Sequence, residues 1–135
     1  MKTFLTVLTI FSVFCLAAPL AFADESRYQT DEDQPVYGEL VFASSPLKTM
    51  TEIPFRVNFG NDPDNAPVIH SAVCSLTMPA MPMPDNHPDL VCEGSSCTGT
   101  AVFTMAGAWR ATFGLIMKNG DHTSVDFNIK MVNMK

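Results

Sequence analysis

The chain has 135 residues and a formal net charge of −6, from 14 acidic and 8 basic side chains. That length supports one domain with one modest core. The acidic balance, with no basic patch anywhere, argues against nucleic acid or an anionic membrane surface as a partner.

Residues 1–23 read as a cleavable export signal. Lys2 supplies the charged start, Phe4 to Leu16 the short apolar region, and Ala21-Phe22-Ala23 the small-x-small end. Cleavage is expected after Ala23. Cys15 follows the bulky Phe14, where lipid attachment needs a small residue. The apolar stretch is short and interrupted by Thr and Ser, so no stable membrane span is expected after cleavage. The expected destination is the periplasm or the extracellular space. Residues 24–35, with Asp31-Glu32-Asp33, read as an acidic, loosely ordered leader. The domain proper is expected over residues 36–134.

Period-two alternation then recurs. A first strand is expected at 36–43. In 52–59, Ile53, Phe55, Val57 and Phe59 oppose Arg56 and Asn58. The polar run Asn61 to Asn65 is a loop. In 67–78, Val68, His70, Ala72, Cys74, Leu76 and Met78 share the more apolar face, which should point inward. A strand at 98–105 ends at Ala106-Gly107. In 108–117, Trp109, Ala111, Phe113, Leu115 and Met117 face inward. Asn119-Gly120 is a hairpin turn signal, since both residues tolerate positive φ. It leads into 123–132, where Val125, Phe127, Ile129 and Met131 alternate with charged and polar residues. No segment has a helical period. Six to seven short strands with tight turns predict an all-β sandwich. Phe55, Val57, Trp109, Phe113, Phe127 and Ile129 should be core, and Met105, Met117 and Met131 also fit inward faces.

Between the third and fourth of these strands lies Met78-Pro-Ala-Met-Pro-Met-Pro-Asp-Asn-His-Pro88. Four prolines exclude a helix interior or a central strand and predict a stiff, extended loop. Two readings of its methionines stand side by side. Thioether sulfur is a soft donor that suits Cu(I), and Met78, Met81, Met83 and His87 form the candidate ligand set. Alternatively the flexible Met side chains plug the open end of the sandwich.

An oxidising compartment favours one disulfide. Cys92 and Cys97 flank a short turn containing Gly94 and form the expected bridge. Cys74 alternates with apolar residues and is expected to stay reduced and buried. A thiolate ligand role beside the Met loop is the competing reading.

The segments Ser75 to Pro84, Thr100 to Arg110 and Asp126 to Val132 resemble, in the same order, the Met-Pro signature, the strand-Gly-Trp-strand segment and the last strand of YtkA-like domains. The related FixH-like proteins share that architecture. The resemblance covers roughly residues 36–134. It implies a small exported or membrane-anchored immunoglobulin-like module, of a kind found with copper-handling and respiratory-oxidase assembly proteins. Cys74, Cys92 and Cys97 match no motif of that family. Trp109 follows all three cysteines, so the antibody order Cys…Trp…Cys is absent.

No nucleophile elbow, Cys–His pair or zinc-protease spacing occurs. His70 and Cys74 are four apart in a strand, about 13 Å at ~3.3 Å per residue, too far for a nucleophile and its base. A non-enzyme is expected. Two functions follow: an exported copper-binding or copper-delivery module using the Met loop, or a metal-free interaction module of the cell envelope or of respiratory-oxidase assembly.

Overall fold

The computed structural model describes residues 24–60 and 66–135. The export signal read at 1–23 and the polar loop read at 61–65 lie outside them. Among these residues there is no helix, and eight strands form two antiparallel sheets: β1 (Ser26–Gln29), β2 (Gly38–Phe42), β3 (Ile53–Phe59), β4 (Ile69–Thr77), β5 (Val91–Glu93), β6 (Ser96–Ala101), β7 (Gly107–Met117) and β8 (His122–Val132). The five-stranded sheet runs β1-β2-β3-β6-β5 and the three-stranded sheet β4-β7-β8. At the sides of the sandwich, β4 lies by β5 and β1 by β8.

The alternation seen in the sequence is the alternation that packs. All six predicted core residues are buried. Aromatic rings cross the interior from sheet to sheet. Phe113 meets Phe55, Phe59 and Phe127 at 6.3, 5.8 and 5.6 Å between ring centres. Phe103 joins Phe42 to Trp109 at 5.7 and 5.2 Å. Such tilted and edge-on pairs add to the area they bury.

The structure departs from the sequence reading in four places. The leader expected to be loose contains β1, paired from Ser26↔Phe42 to Gln29↔Glu39. Tyr28 packs edge-on against Phe42 at 6.0 Å, and Arg27 bridges Glu25 and Glu39. Four residues, of which only Ser26 and Tyr28 are half-buried, carry too little pattern to announce a strand. The short β5 likewise escaped, so eight strands replace six or seven. The strand expected over 98–105 ends at Ala101.

The last departure is one of phase, and bulges cause it. Between Ile69 and Ser71, β4 carries an extra residue against β7. An extra residue reverses the side on which all earlier ones lie. Ile69 is therefore buried while Val68 and His70 are exposed. On β8 the register shifts between Ile129 and Val132. Val132 thus enters the core, and Met131, expected inside, is 55% exposed.

Candidate functional site

β4, β6 and β8 finish, and β3 and β7 start, at one end of the sandwich. The Met/Pro segment leaves β4 there. The segment is not extended throughout: the Met81 N–H donates to the Met78 carbonyl at 3.3 Å, a tight turn. Met78 is 9% exposed and belongs to the core cluster. Its N–H donates to Met83 Sδ at 3.2 Å. Met83 packs part-buried against the same core. These two methionines therefore close the end of the sandwich, whereas Met81 is 42% exposed.

Met78 is seated against Gly107, which opens β7. Gly107 has φ +129°, and a Cβ there would lie 3.1 Å from Met78 Cε. Both the backbone conformation and the close approach call for glycine. Gly107→Ala should cost about 1–3 kcal/mol. Chemical denaturation checks this, and an unchanged midpoint would contradict the packing.

From Pro84 the chain turns back along β4. Asn86 staples it on two sides: its carbonyl accepts from Leu76 N–H at 2.8 Å, and its Nδ2 donates to the Val102 carbonyl at 2.9 Å. Met83, Pro84, Asp85, Asn86, Val102 and Thr104 line a cleft of about 390 Å³ between this segment and residues 102–104. His87 Nδ1 is 3.1 Å from the Cys74 carbonyl. A carbonyl only accepts, so Nδ1 carries a proton, and in the neutral ring the lone pair left for a metal is that of Nε2.

The candidate ligands thus fall into two groups. Met78 and Met83 meet, with Met81 on the turn beside them. His87 is anchored at Cys74, four residues and about 13 Å back along β4 at ~3.3 Å per residue. Sulfur donors dominate the site. Among the described residues, no group of three His, Cys, Asp or Glu side chains gathers as a metal site. Met81 in solvent and Met83 at the cleft suit a soft ion: each thioether has a lone pair to give, and neither carries a charge that a hard cation would need.

Asn86 positions this loop, and its spacing gave no sign of it, since Asn is common in loops for many reasons. Met50, Met105 and Met134 are exposed at the same end of the sandwich, at 63, 42 and 78%. Met105 had been expected inside. Its position before the Ala106-Gly107 break was the available signal that the strand had already ended.

Cys92 and Cys97 are directly opposed across β5 and β6 and form the disulfide, with Cα atoms 4.0 Å apart. Cys74 is free and buried. Burial pushes its thiol up from 9.0 to about 12. Without a metal it is a neutral thiol at physiological pH, as an inert buried cysteine is. The native pKa lies above the unfolded one, so this stabilisation is complete below pH 9 and is lost as pH rises towards 12. Cys74→Ala should lose less stability than the wild type between pH 9 and 11. Parallel loss in both chains would contradict the assignment.

Among the described residues, no helix is long and apolar enough to cross a membrane. Compared with known proteins, the chain matches no family model, no curated protein and no solved structure.

Proposed function

We propose that this chain is an exported, non-catalytic β-sandwich module that takes up Cu(I) through Met81 and Met83 of its Met/Pro loop. The observation that carries the reading is the division of labour inside that loop. Met78 is spent on closing the core, while the Met78–Met81 turn and the Asn86 staple hold Met81 out in solvent and Met83 at the wall of a cleft. A loop that served only as a plug would have no use for an exposed thioether beside it. Binding by preorganised soft donors, with copper as cargo, fits that arrangement. His87, with Nε2 free, is a separate nitrogen donor at the loop's far end.

The resemblance to YtkA-like domains supports the same reading. The pairing orders support an immunoglobulin-like sandwich: from β2 to β8 the sheets follow the sets A-B-E-D and C-F-G, with β1 added outside β2.

A metal-free docking module is the second reading. It draws on the exposed, flexible methionines at this end, a kind of surface that adapts to partners. Competition for Cu(I) against a chromophoric chelator, with residues 24–135 and with Met81→Leu/Met83→Leu, separates the two. Uptake by the wild type alone supports copper, and no uptake by either sinks it in favour of docking.

A further inference from the structure

Eight methionines lie among the described residues: Met50, Met78, Met81, Met83, Met105, Met117, Met131 and Met134. The strand pairings put seven of them at one end of the sandwich. Only Met117, paired with Ile69 beside the turn into β8, lies at the other. Of those seven, Met50, Met81, Met105, Met131 and Met134 are 42 to 78% exposed, an unusual display of apolar side chains at one pole.

Three of the seven belong to neither the Met/Pro loop nor a strand. They are carried by three separate segments that backbone hydrogen bonds tie together. The Met50 N–H donates to the Phe103 carbonyl at 2.7 Å, two residues before Met105. Lys48 bridges Asn133, the Thr49 N–H donates to the Asn133 carbonyl at 2.9 Å, and the Lys135 N–H reaches Thr49 Oγ1 at 3.2 Å. Met134 is thereby laid beside Thr49 and Met50. Bond lengths and these contacts keep the Met50 Cα within about 12 Å of both Met105 and Met134. Gly107 pairs with Val132, so Met105 and Met134, each two residues outside that pair, leave the same end of β7 and β8.

Met50 adds an independent sign. Its φ is +57°, the left-handed region, and it is the one non-glycine residue there among those described. Glycine or asparagine is the ordinary occupant of such a position. A buried methionine could repay the strain by packing, but Met50 is 63% exposed. The backbone conformation aims an unpacked thioether outward, and strain held without a packing return is characteristic of functional positions.

The residues 102–104 separate this group from the Met/Pro loop. The Val102 carbonyl accepts from Asn86 on the loop side, while the next carbonyl, that of Phe103, accepts from Met50. Successive carbonyls of an extended segment point to opposite sides, so the two methionine groups flank it.

We propose that Met50, Met105 and Met134 form a second thioether site for a soft monovalent cation, Cu(I), distinct from the site of Met81 and Met83. The proposal rests on the copper reading for the nature of the ion, but on different residues. Two neighbouring sites built only of neutral sulfur donors let the ion pass from one to the other with no proton to move, because a thioether binds and releases metal without titrating.

Cu(I) supplied as its bathocuproine disulfonate complex, titrated with residues 24–135, tests it. The wild type should withdraw two equivalents, and Met50→Leu/Met105→Leu/Met134→Leu and Met81→Leu/Met83→Leu one each. A triple variant that withdraws as much as the wild type overturns the second site and leaves the loop reading standing. One equivalent in the wild type, lost in the triple variant and kept in the double one, supports this site and sinks the loop. One equivalent lost in both variants means a single shared site and overturns the distinction. No withdrawal by the wild type ends both. In ¹³C-methyl-methionine spectra of Met81→Leu/Met83→Leu, Ag(I) should shift the Met50, Met105 and Met134 methyls together; unmoved methyls overturn the proposal. Met50→Gly should melt no lower than the wild type and still lose the second equivalent. A markedly lower melting point would make Met50 a packing residue and overturn its assignment.

Discussion

Phe113→Ala is expected to destabilise the fold by about 3–5 kcal/mol, the range for deleting a buried ring. Phe113 is fully buried at the middle of β7, between Cys74 on β4 and Val125 on β8. It is the ring at which Phe55 and Phe59 of one sheet meet Phe127 of the other. Truncation removes the contact between layers and leaves a void that fixed strands on both sides cannot collapse to fill. The loss is a large share of the ~5–15 kcal/mol that holds a domain of this size together. Thermal unfolding should fall by more than about 10 °C. Met131→Ala provides the contrast, since truncating an exposed side chain that packs against no core residue changes stability by about 0.5 kcal/mol or less. Its neighbour Val132, fully buried beyond the β8 bulge, should cost several times more on truncation. If Met131→Ala were the worse of the two, the bulge would be misplaced.

The second large effect concerns copper. Met81→Leu/Met83→Leu should weaken Cu(I) binding at the loop by more than about 100-fold, or ~2.7 kcal/mol, while the fold survives. Leucine keeps volume and apolarity and removes sulfur, and swaps of this kind usually cost under about 1.5 kcal/mol of stability. Zn(II) should not replace Cu(I), because zinc sites are built from thiolates, imidazoles and carboxylates. Binding should also persist on acidification through pH ~6.5, where a histidine ligand would protonate and leave. Affinity falling tenfold per pH unit below that value would shift the assignment from sulfur to His87. Equal binding by wild type and variant would remove the loop from the site.

Much of this protein was legible in its sequence because burial and alternation are local facts. Ile53 to Phe59 and Trp109 to Leu115 point alternate side chains into one core, and no strain or long contact is needed to read that. Asn119-Gly120 between two such runs specified the hairpin of β7 and β8, and the few residues between Cys92 and Cys97 specified their bridge. The four prolines placed Met78 to Pro88 outside regular structure. Tertiary structure alone decided the rest. Bulges in β4 and β8 turned His70 and Met131 outward, since a single extra residue reverses the face and leaves no mark in the alternation before it. Pairing with β2, the next strand along, made β1 a strand. Neighbouring methionines were separated in role, because Met78 meets Gly107 while Met81 meets water. Methionines from distant segments were gathered at one pole because hydrogen bonds join residues 47–50 to Phe103 and to the last strand's end. Spacing along a chain reports which face a residue takes; which other faces it meets is settled only when the sheets pack.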